Sequence, residues 1–251
     1  MPAIFTLTTD FGLSETYVAE MKGVILKTLP DAVMVDVTHQ IPAGDILAGS
    51  LALERAVAAF GPETIHLAVI DPGVGTRRRI LVVEIAQQLV VCPDNGLINW
   101  AWKRRGPGRA HRLTWRPKNA SNTFHGRDII APAGVLLASR TPLKSLAKRI
   151  DDPKLLEISP QSAPATSGWI IAIDHFGSVT TNIPAESLPK RAVDICTTRT
   201  NFGKIKNTYS DVRVGEPLAL IGSSGLVEIA IRGGSAARTL GLRIGDAIDL
   251  H

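Results

Sequence analysis

Val69 to Arg79 reads VIDPGVGTRRR: an apolar run from Leu67 to Ile70 ends on an acid, a proline, two glycines and three arginines. The run predicts a buried strand, and Asp71 emerges where it stops. Pro72 fixes its own φ and presses Asp71 toward extended backbone, while Gly73 and Gly75 allow close-approach or left-handed geometry. A carboxylate is thereby held beside a bare loop at a strand's carboxyl end, the place where open α/β sheets bind ligands. A plainer reading, Asp71 as a local turn cap, stands beside it.

Upstream, Ala3–Thr9 predicts a strand ending on Asp10, Phe11 and Gly12, a second acid-plus-glycine terminus. Helical spacing covers Tyr17 to Leu29 and Pro30 stops it; Val33–Val37 predicts a strand; Asp45 opens a helix running to about Phe60; Thr64–Ile70 is the strand feeding Asp71. Strand, helix, strand, helix, strand predicts a largely parallel sheet with right-handed crossovers. Downstream, Ile80–Ile85 and Leu89–Cys92 predict paired strands separated by Gln87 and Gln88, before the turn signal Pro93-Asp94-Asn95-Gly96. In Asn122–Pro132, NTFHGRDIIAP, His125 and Arg127 flank a glycine ahead of a predicted helix at Ala133–Ser139. On its own, His125 fits a structural hydrogen-bonder as well as a catalyst.

From Asp151 to Ser167 the composition shifts to Pro, Ser, Asp and Ala. This predicts an α/β N-terminal domain at 1–155, a linker at 156–166 and an all-β C-terminal barrel at 167–251. Its expected strands are Trp169–Asp174, Ser178–Ile183, Ala192–Thr198, Pro217–Gly222, Leu226–Ile231 and Asp246–Leu250, with one short helix at Ser235–Leu240.

The bulk numbers exclude some classes of function. Hydrophobic residues make up 45% of the 251 and charged residues 20%, so the chain can bury a core without stapling, and no apolar run is long enough to span a bilayer. MPAIFTLTTDFG lacks a basic region followed by an apolar signal core, so the cytoplasm is the expected location. Cys92 and Cys196 are far apart with no second ligand pair, which predicts two core thiols and neither disulfide nor zinc site. The net charge of +5 concentrates in Lys103–Arg116, KRRGPGRAHRLTWR, whose Gly and Pro content predicts a solvated loop. No nucleic-acid reading motif accompanies it.

Taken together, TLTTDFG at Asp10, DVTHQIP at Asp36–Pro42, IDPGVGTRRR at Ile70–Arg79, CPDNGL at Cys92–Leu97, FHGRDIIAP at Phe124–Pro132, DHFGSVTTNI at Asp174–Ile183 and the terminal SSGLVEIAI and GSAARTLGLRIGD resemble the S-adenosyl-L-methionine (SAM) hydroxide adenosyltransferase family, relatives of the fluorinating and chlorinating enzymes. The resemblance runs nearly end to end. It implies hydrolysis of SAM to adenosine and methionine, SAM being substrate rather than cofactor, in a homotrimer whose sites lie between the N-terminal domain of one subunit and the C-terminal domain of the next. It implies a catalytic set of Asp71, Arg78 and His125, the arginine being the one seven positions after the aspartate. It implies that Asp10 accepts the ribose hydroxyls, that Asp174 and Phe176 meet the methionine end and the adenine, and that Ser223 and Ser224 bind the amino-acid portion. Phe11, Gly126, Glu228, Ser235 and Ala236 join the implied substrate-binding set. At Ser178 relatives usually carry asparagine; serine has less reach toward the adenine edge, leaving more of that contact to backbone near Gly234–Ala236. Halogenating relatives carry tyrosine at the position of Asp71, and the fluorinating branch carries serine at that of Gly126, which aligns this chain with the water-using branch. Two rivals are a SAM-binding module without turnover and a chloride-dependent halogenase; an anionic Asp71 beside a halide path opposes the latter. No metal-ligand cluster is apparent.

Overall fold

Alternating apolar runs and helical stripes place the strands of the first half in one sheet between two helical layers. The computed structural model describes residues 2–190 and 193–251. The chain divides into two compact units, Met1–Glu157 and Ile158–His251.

In the first unit, β1 (Ile4–Thr9), β2 (Val33–Thr38), β3 (Ile65–Val69) and β5 (Gln88–Pro93) pair in parallel, and β4 (Ile80–Ile85), β6 (Arg109–Leu113) and β7 (Ala147–Ile150) extend the sheet antiparallel, in the order β2-β1-β3-β5-β4-β6-β7. All five residues of β3 are buried, as a central strand covered on both faces requires. Helix α1 (Tyr17–Thr28) buries Val18, Met21 and Ile25, spaced at helical intervals. In α2 (Ile46–Ala59) the first turn is held by Asp45, which accepts from the Ala48 amide at 2.9 Å, an N-cap of the kind worth about 1 kcal/mol. Among the described residues two apolar clusters lie in this unit. One contains Phe5, Leu7, Met21, Ile25 and Leu67; the other contains Leu53, Val57, Ile70, Leu81 and Cys92.

Several expectations are corrected here. Lys103–Arg116 is not one solvated loop: α3 (Asn99–Arg104) takes its start, and β6 occupies Arg109–Leu113 with Ala110 and Leu113 turned inward. Gln88 belongs to β5, not to the turn, because its buried amide donates to the Val57 and Phe60 carbonyls and its carbonyl meets His66 Nε2 at 2.5 Å. The turn is Ala86-Gln87, both at positive φ. The helix expected at Ala133 begins earlier: a π-helical turn, Gly126–Ile130, runs into α4 (Ala131–Ala138), followed by the short α5 (Leu143–Leu146). Pro132 has no N–H to offer the preceding turn, and the Ala131 amide reaches back five residues to the Gly126 carbonyl. Cys92 is a buried thiol, but Cys196 is only half-buried.

In the second unit the strand order is β11-β10-β14-β8-β9-β13-β12, formed by β8 (Ser167–Ile173), β9 (Val179–Pro184), β10 (Asp194–Cys196), β11 (Asn201–Lys204), β12 (Pro217–Ile221), β13 (Leu226–Ile231) and β14 (Ala247–Leu250). A bridge between Lys206 and Leu220 brings the two ends near each other, so the antiparallel sheet is a nearly closed barrel. The strand expected at Ala192–Thr198 starts outside the described residues at Ala192; its described part is β10. Helix α6 (Ala236–Leu240) is capped by Ser235, whose hydroxyl accepts from the Arg238 amide at 3.2 Å. In the stretch read as a linker, Gln161 donates to the Asn182 carbonyl and Ala165 to that of Ser187.

Candidate active site

The carboxyl ends of β1 and β3 deliver Asp10 and Asp71 to one cavity of about 370 Å³, lined also by Phe11, Gly44, Pro72, Phe124, His125 and Gly126. That size falls within the range of small-molecule sites. Gly75 explains how the Asp71 loop meets the His125 loop: it sits at φ +80°, and a Cβ there would stand 2.6 Å from the Asn122 carbonyl oxygen. Only glycine permits that approach.

Of the three adjacent arginines, Arg78 turns to Asp71. Its Nε donates to both carboxylate oxygens, at 2.8 and 2.9 Å, and its Nη2 also donates to Oδ2. The side chains are 4% (Asp71) and 8% (Arg78) exposed. The same Nη2 lies 2.8 Å from His125 Nδ1. A guanidinium only donates, so Nδ1 accepts and the ring proton sits on Nε2. Asp71 and His125 therefore face the cavity while Arg78, which does not line it, braces both from behind. Arg79 instead binds Asp94 and Asp152, and Arg77 is exposed. Arg127 bonds Asp128 and Glu20, away from Asp71.

His125 is buried, and its pKa is pushed below the ordinary value, first by burial and then by the fields of Arg78 and Arg116, against the opposing Asp71 and Asp128. A histidine so shifted binds a proton less readily folded than unfolded. Its contribution to stability is thus present above the unfolded value, about 6.5, and is lost as the pH falls from there through the folded value. The ring-proton resonances of His125 should titrate with a midpoint below that of an exposed histidine, and Arg116→Gln should raise the midpoint. An unchanged midpoint in that variant would remove Arg116 from the balance.

Asp10 accepts from the Gly44 amide through Oδ2 at 2.8 Å, and its other oxygen has no hydrogen bond to a described residue. Its loop is held by His39, whose carbonyl accepts from Gly12 at 2.7 Å and whose Nδ1 meets Thr9 Oγ1 at 2.9 Å. Phe11, Tyr17 and Phe124 form an edge-to-face trio with centroids 5.2 to 5.7 Å apart.

The second unit assembles its own group. Asp174 Oδ1 accepts from the Ser178 amide at 2.8 Å, Phe176 on the intervening turn is 78% exposed, and Ala237 donates to the Gly177 carbonyl, which brings Ser235 and Ala236 against that turn. Gly177, at φ +85°, has no room for a Cβ beside Ser235. Ser178 is buried. Ser223 is exposed and Ser224 half-buried in the β12–β13 turn. Glu228 accepts from the Tyr209 hydroxyl at 2.6 Å, and the Tyr209 pKa is pushed up to about 12 by Glu228, by burial and by Asp174.

The sequence reading missed Arg116, Gly44, Phe124 and Tyr209. Phe124 stood inside the quoted FHGRDIIAP motif, one residue before His125. Nothing local marked the others. Among the described residues no group of three His, Cys, Asp or Glu side chains is placed to hold a metal ion, and no helix is long and apolar enough to cross a membrane.

Comparison with known proteins bears directly on this arrangement. Residues 5–147 match the family model described as SAM hydroxide adenosyltransferase N-terminal domain, and residues 168–249 the one described as its C-terminal domain. The chain is similar to proteins named (R)-S-adenosyl-L-methionine hydrolase from Salinispora tropica (36% identity over 97% of this chain and 95% of that protein) and Thermus thermophilus (34%, 96% and 97%). A fluorinase from Nocardia brasiliensis is more distant, at 23% identity over 98% of this chain and 96% of its own. Among solved structures, an uncharacterized conserved protein from Thermotoga maritima superposes with a TM-score of 0.88 at 33% identity, covering 99% of this chain and 100% of that one.

Proposed function

This chain belongs to the SAM hydroxide adenosyltransferase family, and from that premise we propose that it hydrolyses SAM to adenosine and L-methionine. The observation that carries the chemistry is the Asp71–Arg78–His125 chain of hydrogen bonds, whose two ends, Asp71 and His125, line the first cavity.

The sulfonium of SAM leaves as a neutral thioether, so C5′ needs no general acid; it needs an aligned water molecule in a dry pocket. The oxygen of that water attacks C5′, the C5′–S bond breaks, and its electron pair stays on sulfur. One proton of the water must leave. His125 Nδ1 is committed to Arg78 and Nε2 faces Arg116 Nη2 at 3.5 Å, so neither ring nitrogen serves as the base and His125 forms the wall beside the water. Asp71 Oδ2 accepts from both Nε and Nη2 of Arg78, whereas Oδ1 accepts from Nε alone and keeps a second lone pair, and Oδ1 takes the proton. General-base help of this kind is typically worth about 10²–10⁴ in rate. Arg78 fixes the tautomer of one partner and the orientation of the other.

Asp10, with one carboxylate oxygen free, receives the ribose hydroxyls beside Phe11 and Gly126. Asp174, Phe176, Ser178, Ser223, Ser224, Glu228, Ser235 and Ala236 contribute the remaining substrate contacts from the second unit. The active form in this reading is a homotrimer in which a neighbouring subunit completes the site, working in the cytoplasm with SAM as substrate and no resident cofactor.

Reaction in ¹⁸O-water with stereospecifically C5′-deuterated SAM tests the reading. Solvent oxygen is expected at C5′ of adenosine with inverted configuration. Unlabelled adenosine, or retained configuration, would replace direct displacement by another nucleophile or a two-step route.

A further inference from the structure

Behind His125 lies a second cavity, of about 520 Å³, into which Arg77, Arg78, Arg79, Arg112 and Arg116 all converge. It contains no acidic lining residue. Arg78 is neutralised by Asp71, and Arg79 by Asp94 and Asp152. Arg77, Arg112 and Arg116 have no carboxylate within ion-pair distance among the described residues, and all three are exposed. The crowding extends to the sheet, where Arg112 of β6 stands in register opposite Lys148 of β7. Like charges directly across a strand pair repel, so the arrangement is least costly with an anion present.

We propose that this second cavity is a binding site for a phosphate-class oxyanion, free or as a small phosphomonoester, held by Arg77, Arg112 and Arg116. Guanidinium forks match the oxygens of such a group, and charge-assisted bonds are the strong ones. The volume exceeds what one inorganic phosphate fills, and Trp115 on the wall gives an organic substituent a surface. A concave pocket with five arginines accommodates one anionic group better than a polymer backbone, which asks for an open track of charge.

The site shares a wall with the catalytic cavity. Arg116 Nη2 lies 3.5 Å from His125 Nε2. The charges facing His125 are Arg78, Arg116, Asp71 and Asp128. An anion on Arg116 cancels one of the two positive fields, so His125 gains proton affinity and, by reciprocity, the anion binds more tightly when His125 is protonated.

Calorimetry on the full chain at fixed ionic strength tests the binding without reference to turnover, so it stands or falls separately from the proposed reaction. Inorganic phosphate and phenyl phosphate are the two probes, and the tighter one identifies the source of the anion. Saturable binding of at least one probe, with one site per chain, is expected. It should weaken about tenfold for each of Arg77→Gln and Arg112→Gln, exposed positions that touch neither Asp71 nor His125. Sulfate, whose charge is constant over the range, should bind more tightly as the pH falls, and this dependence should flatten in Arg116→Gln. Absence of saturable binding by either probe, or affinities unchanged in both binding variants, would overturn the proposal. So would tight binding of a single-stranded oligonucleotide with neither small anion bound. Circular dichroism and melting of the variants confirm that weakened binding is not loss of fold.

Discussion

Asp71→Asn is expected to lower SAM turnover roughly 10³-fold while changing SAM affinity only a few-fold. Asparagine preserves the shape and one oxygen acceptor for Arg78 but cannot take a proton, and the step it disables exists only on the way to the transition state. Asp10→Ala, by contrast, should show its loss first in affinity, because contacts to the ribose exist in the ground state as well. Single-turnover rates and calorimetric affinities on the two variants separate these cases. Equal affinity losses in both would move Asp71 from catalysis to substrate binding.

The second large effect is expected at Arg78. Arg78→Met strands the Asp71 carboxylate, 4% exposed, without its partner. Breaking such a pair costs roughly 3–5 kcal/mol, which at this chain length is a fall in Tm of about 10 °C. Activity should fall at least as far as in Asp71→Asn, because His125 also loses the donor that fixes its tautomer. Combining Arg78→Met with Asp71→Asn should recover most of the Tm and little of the activity: the neutral amide no longer needs the guanidinium, but nothing accepts the proton. Additive losses of activity would indicate that the two residues act separately. A wild-type Tm in Arg78→Met would contradict the pairing.

The strands that place the acids were legible because burial and sequence agree there. β3 is buried throughout and its sequence is apolar but for His66, whose ring is paired with Thr6 and Gln88; β1 buries five of six residues. The SAM hydroxide adenosyltransferase relationship was legible because its motifs recur in order over both units. β6 was not, because only two of its five residues face inward and its basic exposed positions read as loop composition. Gln88 was misread for a related reason: its place in β5 depends on bonds to His66 and to α2 carbonyls, which are distant in sequence. The three arginines at 77–79 show the same limit at the site. Their spacing from Asp71 differs by single residues, and resemblance to the family, not periodicity, selected Arg78. Which carboxylates the arginines bind follows from the tertiary positions of Asp94 and Asp152. Arg116 was counted only as part of a basic stretch, since its proximity to His125 arises from the return of the chain after β6.

Arg78 and His125 are 47 positions apart, and the interval between them contains β4, β5, α3 and β6. Closing so long a loop is entropically unfavourable until those intervening pieces have condensed. During synthesis strands β1 to β6 are therefore available before the hydrogen-bonded trio can form, and only the edge strand β7 follows it. A nascent chain halted before Phe124 has Asp71 and Arg78 but lacks the imidazole, so the trio closes only once the chain has returned past β6.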